Sequence, residues 1–372
     1  MKIIYFIDSL GCGGTERQLI LLVRKLIERG HEVELCCLKD QPGKNQGELD
    51  FTVNLFKIDK LMSFKTIRRI VRIVQYLKRI KPDVVHTYFI DATVVGILCA
   101  YLSGVPVRIS SRRDLGFWYN TKTKFLMKLA NMLSHGVLAN SEAVKQSVIK
   151  NEKITTDFIS VIHNGLDAAL NIKDICINNQ RIRHNLKIAE GIPVVGIVSN
   201  FNRVVKRVDL FIQAAKRVYE LKRDLVFLVV GDGYQRECLQ EMAREGKFGD
   251  KMQFLGLVDD VLPVMCVFDI AVNTSDTEGL SNAVLEYMAC KCAVIVTNNP
   301  GNMEIIKDRE NGLLAERGNA DSIADAIISL LDDEKLRTDL TDKAFNYVKK
   351  EFLLDAMVSK HEIYYERFLK EA

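Results

Sequence analysis

The sequence has little of what builds fibrous, secreted or membrane-spanning proteins. Only six prolines and 22 glycines occur in 372 residues, which excludes collagen-like chains and flexible linkers. No run approaches 18 uncharged apolar residues, so a membrane-spanning helix is excluded. The apolar start at Lys2–Ile7 is too short for a signal-peptide core and lacks a small-residue cleavage site. We therefore expect a cytoplasmic protein.

The sequence also lacks the spacings of a disulfide or metal framework. The nine cysteines include no C-x-x-C pair and mostly lie in apolar segments, which predicts buried thiols in a reducing compartment. The six histidines include no H-x-x-x-H or H-E-x-x-H motif. We expect neither a bound metal nor another cofactor.

What is present fits a globular protein with two cores. The chain is 48% hydrophobic and 27% charged, with a net charge of only +4, and its length suits two domains. Residues 1–165 carry 25 Lys and Arg against 15 Asp and Glu, whereas residues 166–372 carry 27 against 33. The first part is therefore basic, at +10, and the second acidic, at −6.

Two basic segments lie in the first part. Residues 60–81 hold eight basic and no acidic residues, and apolar residues at 67, 70, 71, 74 and 77 recur at helical spacing. Residues 108–128 include Phe117-Trp118-Tyr119 and a single acid, Asp114. These segments either form ordinary solvated faces or bind an anionic membrane surface. Each basic residue near such a surface contributes roughly 1 kcal/mol to binding. No nucleic-acid motif accompanies them, so we expect no nucleic-acid partner.

Strands and helices alternate along the chain, beginning with the strand Ile3–Ile7 and restarting at Val194–Ser199. This order predicts an α/β fold of two doubly wound, Rossmann-like domains with parallel sheets, facing each other across a cleft. We place the domains at 1–165 and 166–352, with a last helix at about 353–372 that packs back on the first. Ligands bind at the carboxyl ends of such strands, so the cleft is the expected site.

Two carboxylates, Glu278 and Glu286, lie eight residues apart where a strand turns into a helix. Between them the helix start exposes the backbone N–H groups of Gly279, Leu280 and Ser281, which favour a phosphate. Glu286 is surrounded by apolar residues and needs a partner such as a pair of hydroxyls. The alternative is a helix cap and a solvent-facing residue.

Three loops at strand ends supply further candidates. In the loop from Ser199 to Arg207, Arg203 and Lys206 offer a planar fork and a point charge to a diphosphate, although basic surface loops are common. The turns Gly11–Gly14 and Gly231–Gly233 let backbone approach a ligand closely. The first is a weak dinucleotide fingerprint, because Glu16 stands where a third glycine is needed.

Taken in order, these motifs resemble the retaining glycosyltransferases of family 4, also called group 1. The resemblance covers essentially the whole chain. It rests on the Gly-Gly loop, the R-x-x-K loop and the E-x7-E pair, and on Pro82–His86, Ile162–Asp167 and Val229–Gly233.

The resemblance implies the GT-B fold, with the acceptor in the N-terminal domain and a nucleotide-sugar donor in the C-terminal domain. Arg203 and Lys206 would hold the donor diphosphate, and Glu278 would contact the transferred sugar. Glu286 would bind the ribose. Further donor contacts are implied at Gly13, Gly14, Gly231, Asp232, Gly233, Leu257, Gly279, Leu280 and Ser281.

This chain departs from the family pattern at two functional positions. The frequent H-x-H reads His86-Thr87-Tyr88 here, so either Tyr88 or Asp91 would replace the second histidine. A glycine that often follows the loop lysine is Arg207, which either adds a third cation or faces solvent. Residues assigned to the acceptor or sugar side are His86, Tyr88, Asp91, Arg112 and Arg113.

The implied activity is transfer of a sugar, with retention, from a UDP-sugar to a glycan or lipid-linked acceptor in cell-surface polysaccharide synthesis. Because the chain has no D-x-D motif, we expect no metal. The enzyme would be cytoplasmic or peripheral on the inner face of the cell membrane. Two alternatives stay open: an NAD(P)-dependent oxidoreductase, and a non-catalytic sugar-nucleotide-binding protein of the same fold.

Overall fold

The computed structural model describes residues 1–11, 13–39, 49–58, 64–167 and 179–371. The chain forms two compact units, the first comprising Met1–Gly165 and Leu354–Ala372 and the second Leu166–Leu353. Three features discussed above lie outside the described residues: Cys12, Cys176 and the start of the basic segment at 60–63. The acceptor and donor roles assigned to the two units stay predictions.

The described part of the first unit has a seven-stranded sheet in the order β3-β2-β1-β4-β5-β6-β7. All its pairings are parallel. Its strands are short and, in most of them, the residues are largely buried, as expected where both sheet faces are covered. They are β1 (Lys2–Ile7), β2 (Glu32–Cys37), β3 (Val53–Leu55), β4 (Val84–Thr87), β5 (Val107–Arg112), β6 (Gly136–Ala139) and β7 (Ile159–Val161).

Helices cover this sheet, and the last helix of the chain, Leu354–Glu371, belongs to this unit. Arg29 donates to Glu362 at 2.6 Å, and the hydroxyls of Tyr5 and Tyr365 lie 2.9 Å apart, so that helix is joined to the sheet and to the first helix. The other helices are α1 (Gly14–Glu28), α2 (Phe64–Ile80), α3 (Ile90–Leu102), α4 (Thr121–Leu133) and α5 (Glu142–Glu152).

The second unit repeats the plan with a six-stranded parallel sheet, described in the order β10-β9-β8-β11-β12-β13. Its strands are β8 (Val194–Val198), β9 (Val226–Val230), β10 (Met252–Gly256), β11 (Ile270–Asn273), β12 (Ala293–Thr297) and β13 (Leu313–Ala315). Its helices are α6 (Asn179–Asn185), α7 (Val208–Leu221), α8 (Arg236–Glu245), α9 (Leu262–Met265), α10 (Asn282–Ala289), α11 (Pro300–Ile305), α12 (Ala320–Asp332) and α13 (Glu334–Glu351). The predicted α/β class with two doubly wound sheets is confirmed.

The amphipathic face of α2 matches the predicted one only in part, because Ile70, Val74 and Leu77 pack in the core but two other predicted positions do not. The buried stripe runs through Thr66, Ile73 and Leu77, whereas Ile67 and Val71 are 58% and 49% exposed. A helix turns about 100° per residue, so including 67 and 71 extended the predicted apolar face too far around the helix. The outer surface of α2 therefore carries apolar as well as basic side chains.

Two further observations bear on the composition. Six of the seven described cysteines are buried, but Cys238 is exposed, because it lies on the outer side of α8 and not in an apolar segment. Within the described ranges, no helix is both long and apolar enough to cross a bilayer.

Candidate active site

The basic loop follows β8 at the carboxyl edge of the second sheet. The chain passes through Arg203, makes a short 3-10 turn over Val204–Lys206 and enters α7 after Arg207. Arg207 has a φ of +49°, a conformation that favours glycine, which gives a physical reason for the glycine of related sequences. Its guanidinium pairs with Asp209 at 2.9 Å and Asp276 at 3.2 Å. Arg207 therefore fixes the loop instead of facing solvent alone.

Lys206 and Glu278 meet at this edge, with 2.6 Å between Nζ and Oε1. Ser275 donates its hydroxyl to the same carboxylate oxygen at 2.6 Å, and Asn273 donates its amide at 3.4 Å. Burial opposes ionisation of Glu278, but the ammonium and these hydrogen bonds outweigh it and hold its pKa below the usual value. The structure therefore has an ionised, rigidly positioned carboxylate beside a cation.

The loop after Glu278 leads directly into α10. Leu280 and Ser281 are buried, and Ser281 precedes the helix without capping it through its side chain. Its hydroxyl instead accepts from Asn273 at 3.2 Å. Glu286, about one turn into α10, is 7% exposed. Both carboxylates of the E-x7-E motif are thus enclosed, and for Glu286 the apolar sequence around it predicts this.

Several residues that support this loop carry no obvious motif. Gly301, in α11, lies against it, and a Cβ there would clash with the carbonyl oxygens of Glu278 and Gly279. Asn299 donates to the carbonyl of Ser275 at 2.9 Å, and Asn302 donates to Oδ1 of Asn273 at 3.2 Å. The only signal in the sequence is the polar run Thr297–Asn302 directly after a buried strand.

The Gly231–Gly233 turn packs on the basic loop. Gly231 has a φ of +133° and Gly233 of +151°, and a Cβ at either would clash with the loop backbone at 199–202. The N–H of Gly231 donates to the carbonyl of Gly256 at 2.9 Å, next to the exposed Leu257. Asp232 accepts from Arg236 at 2.7 Å. The basic loop, the Gly231–Gly233 turn and the chain at Gly256 and Leu257 thus lie together. Their assignment to the donor stays a prediction.

In the first unit the glycine-rich turn begins α1. A Cβ at Gly13 would clash with the carboxylate of Glu16, which folds back over the turn; Gly14 is the first residue of the helix. One turn later, Gln18 donates to the carbonyl of Gly165 at 3.0 Å and accepts from its N–H at 3.1 Å. The start of α1 is therefore tied to Gly165, and the contact of the turn with the donor stays a prediction.

His86 is fully buried at the end of β4. Its Nδ1 lies 2.7 Å from the hydroxyl of Tyr365 and its Nε2 lies 2.7 Å from that of Ser111. Burial, together with the nearby His361 and Arg113, holds the pKa of His86 well below its usual value. Both ring nitrogens of this neutral imidazole have internal partners, so the structure offers no direct support for its predicted role toward the sugar.

The other four residues of the predicted acceptor side fall into different environments. Tyr88 is buried, and the guanidinium carbon of Arg113 lies 5.8 Å from the centre of its ring. Asp91 accepts from Lys39 at 2.6 Å. Arg112 is buried in an ion pair with Glu152 at 2.7 Å, which accounts for it as a structural group. The four roles stay predictions; of the two arginines, Arg112 is buried and Arg113 is half-buried.

Asp8, directly after β1, has a role that its local sequence does not indicate. Its Oδ1 accepts from the N–H of Ala92 at 2.7 Å, so it caps α3, whose own N-cap, Phe89, provides no side-chain bond. Burial raises the pKa of Asp8 to about 6, and the neighbouring Asp91 acts in the same direction. The partner lies far away in sequence, and no local motif could have indicated this cap.

Two family models match the chain. Residues 178–347 match that of glycosyl transferases group 1, and residues 12–170 match that of Glycosyltransferase Family 4. Together they include every strand except β1 and all of the motifs described above except Gly11. The match therefore follows the two units in the expected order.

Individual relatives agree with the family models. The N-acetyl-alpha-D-glucosaminyl L-malate synthase of Bacillus anthracis is 28% identical over 375 residues, covering 97% of this chain and 94% of the relative. The UDP-Gal:alpha-D-GlcNAc-diphosphoundecaprenol alpha-1,3-galactosyltransferase of Escherichia coli is 26% identical over 378 residues, covering 93% and 95%.

A solved structure has the same fold. Anabaena Alr3699/HepE in complex with UDP matches with a TM-score of 0.86 at 20% identity, over 99% of this chain and 100% of that one. The fold, the order of motifs, the family models and the relatives lead to one assignment. This chain belongs to the group 1 glycosyltransferases of glycosyltransferase family 4.

Proposed function

We propose that this glycosyltransferase transfers a sugar from a UDP-sugar to a glycan or lipid-linked acceptor, with retention, in cell-surface polysaccharide or glycoconjugate synthesis. The E. coli relative is named for a UDP-Gal donor and a diphosphoundecaprenol-linked acceptor, and the Anabaena protein has been solved with UDP-glucose. Membership in a family of named transferases favours this function over the oxidoreductase and the non-catalytic binding protein.

The observation that carries the proposal is the pair formed by Lys206 and Glu278 at a carboxyl sheet edge. A lysine that touches an ionised carboxylate can also reach a second anion, because its ammonium has three donors. We assign the donor diphosphate to Lys206, Arg203 and the start of α10, and the transferred sugar to Glu278. Glu286 takes the ribose hydroxyls.

The same groups account for catalysis. When the bond between the anomeric carbon and the diphosphate oxygen breaks, negative charge grows on the leaving UDP. Fixed cations and helix N–H groups stabilise that charge in the transition state. The acceptor oxygen forms the new bond on the same face, and its proton passes to the leaving phosphate. No side chain is assigned as a general base.

We propose that the diphosphate is bound without a metal or other cofactor. The support is the cationic pair in the basic loop, Arg203 and Lys206, which supplies positive charge where a metal otherwise would. Activity should persist after extensive treatment with EDTA. Loss of transfer on chelation, with recovery on adding Mg²⁺ or Mn²⁺, would contradict this assignment.

We further propose that the outer face of α2 contacts an anionic membrane surface. Arg68 and Arg72 are exposed there beside the exposed Ile67 and Val71, and this mixture suits an interfacial helix. Co-sedimentation with vesicles containing anionic lipid should exceed that with neutral vesicles and fall in the Arg68→Glu/Arg72→Glu variant. Equal partition between the two vesicle types would remove the proposal.

Transfer itself is tested with a panel of UDP-sugars and a membrane lipid extract. We expect UDP release coupled to labelling of lipid or glycan with one donor, loss of both in Glu278→Gln, and an α-linked product from an α-linked donor. The control is Glu310→Gln, which changes an exposed carboxylate of the same unit. Activity that is equal in Glu278→Gln, or inversion at the anomeric carbon, would contradict the proposal.

A further inference from the structure

Arg113 holds a positive charge that the described residues do not neutralise. It follows β5 at the carboxyl edge of the first sheet and is half-buried. Its Nε is enclosed and has no hydrogen-bond partner, and its Nη2 donates to Oδ1 of Asn164. The guanidinium carbon lies 5.8 Å from the centre of the Tyr88 ring. Across the described ranges, no carboxylate pairs with it.

The preceding residue shows how this fold neutralises a buried arginine. Arg112 donates to both oxygens of Glu152, at 2.7 and 3.0 Å, and its Nη2 also donates to Asn131. Removing a charge from water without a counter-charge is unfavourable. Burial lowers the pKa of Arg113, and its charge contributes to the low pKa values of His86 and His361. The two neighbouring arginines thus have opposite electrostatic environments.

A second unpartnered group lies at the same edge. Asn140 follows β6, and Arg112 pairs with Ala139 in the register of β5 and β6, so Arg113 and Asn140 are the next residues of adjacent strands. Asn140 is 2% exposed; its Nδ2 donates to the carbonyl of Arg113 at 3.3 Å, while its Oδ1 has no partner. The edge therefore holds an unused cationic donor and an unused acceptor.

We propose that Arg113 binds an anionic group of the acceptor, a carboxylate or a phosphate, while Asn140 accepts a hydrogen bond from a neighbouring acceptor hydroxyl. The ligand class follows from the unused groups: an oxyanion satisfies the guanidinium fork, and a hydroxyl satisfies the amide oxygen. The assignment to the acceptor instead of the donor rests on the proposed function, which gives the donor to the second unit.

The test compares three probes on four forms of the protein. The probes are L-malate, inorganic pyrophosphate and the neutral diamide of L-malate, titrated calorimetrically with UDP present so that the donor site does not capture pyrophosphate. The forms are wild type, Arg113→Met, Arg113→Lys and the control Arg108→Met. Arg108 lies near the amino end of β5, whereas Arg113 follows the carboxyl end, and it donates to the carbonyls of Leu133 and Val105 at 2.7 and 2.6 Å.

We expect wild type to bind one of the two anions and Arg113→Met to bind it about 10- to 100-fold more weakly, the range for a lost charge-assisted hydrogen bond. Arg113→Lys should retain part of the affinity, because it keeps the charge and loses the fork. Arg108→Met should bind the anion with the affinity of wild type. The affinity for the neutral diamide should be the same in all four forms. Preference for pyrophosphate would indicate that the acceptor carries a phosphate. Preference for L-malate would indicate that it carries a carboxylate.

Equal anion binding by wild type and Arg113→Met would overturn the inference, as would no binding of either anion to wild type. If Arg113→Met shows no cooperative unfolding transition, Arg113→Lys replaces it in the test. Anion affinity equal to that of wild type in Arg113→Lys would then overturn the inference. A separate titration with UDP distinguishes the two proposals. UDP binding without Arg113-dependent anion binding defeats only this inference, and L-malate binding through Arg113 without UDP binding defeats only the proposed function.

Discussion

The ammonium of Lys206 lies 2.6 Å from a carboxylate oxygen of Glu278, 72 residues along the chain. Two strand ends bring them together, and Ser275 and Asn273 complete the surroundings of the carboxylate. Since the folded protein holds the pKa of Glu278 below its usual 4.5, ionised Glu278 stabilises the fold above that pH. This contribution is lost as the pH falls through the lower, folded value.

Removing the cation should therefore reduce stability in a pH-dependent way. We expect Lys206→Met to lower the free energy of unfolding at pH 7 by about 1–3 kcal/mol, because a buried charge is left without its main partner. The difference from wild type should shrink in acid, where Glu278 is protonated in both proteins. Urea unfolding at several pH values measures this, with the exposed Lys216→Met as control. A pH-independent difference would contradict the assigned ion pair.

Glu286 should recognise the ribose of the donor. Replacing it by Gln should weaken UDP binding about 10- to 100-fold, because hydrogen bonds to a charged acceptor are lost. Binding of 2′,3′-dideoxy-UDP should already be weak in wild type and change little in Glu286→Gln. Calorimetric titration of both ligands tests this, with Glu241→Gln on the exposed side of α8 as control. Equal losses for both ligands would show that Glu286 does not meet the ribose.

Gly301 should matter for activity more than its distance in sequence from the motif suggests. A Cβ there would displace the backbone at Glu278 and Gly279, and a shift of about 1 Å in a positioning group can cost about 100-fold in rate. We expect Gly301→Ala to lower kcat strongly.

The control for this effect is Gly191→Ala. Gly191 has a φ of +76°, and, its two chain neighbours aside, no atom of the described residues lies within 4 Å of the point that a Cβ would occupy. Its replacement should therefore cost about 1–2 kcal/mol of stability through backbone strain alone. Transfer rates and unfolding midpoints of both variants separate loop displacement from general destabilisation. Full activity in Gly301→Ala would contradict the supporting role.

Much of the architecture could be predicted from apolar runs and turn residues. The strands β1, β8, β9, β11 and β12 are each four to six residues long and strongly apolar. In contrast, β3, β7 and β13 have three residues each, which is too short for a period, and the sequence patterns did not predict them. They are strands because neighbouring strands pair with them, and that information is non-local.

The residues of the candidate site also divide into those that local patterns predict and those that only packing determines. The E-x7-E spacing and the R-x-x-K loop are local patterns, and the alternation of strands and helices indicates a shared sheet edge. The hydrogen bonds that orient Glu278 come instead from side chains such as Ser275 and Asn273, and Asn302 supports them from another strand end. Asp8 caps a helix 84 residues away. Such partners are set by packing, for which no sequence period exists.

Asp8 should make the stability of the first unit depend on pH in the opposite sense to Glu278. Burial raises its pKa from 3.8 to about 6, so its contribution is lost as the pH rises from about 4 through 6, by up to about 3 kcal/mol. Asp8→Asn keeps an acceptor for Ala92 and should remove this loss. Unfolding midpoints from pH 4 to 8 test it, with the exposed Asp157→Asn as control. Parallel profiles for wild type and Asp8→Asn would contradict the prediction.

The central claim is that the carboxyl edge of the second sheet binds the UDP of a sugar donor, and its most direct test is calorimetric titration with UDP, GDP, ADP and NADH. Wild type and Lys216→Met should bind UDP saturably and in preference to the others. Lys206→Met should bind it about 10- to 100-fold more weakly, since a charge-assisted contact to the diphosphate is lost. Binding of NADH alone, or equal UDP affinity in wild type and Lys206→Met, would contradict the account.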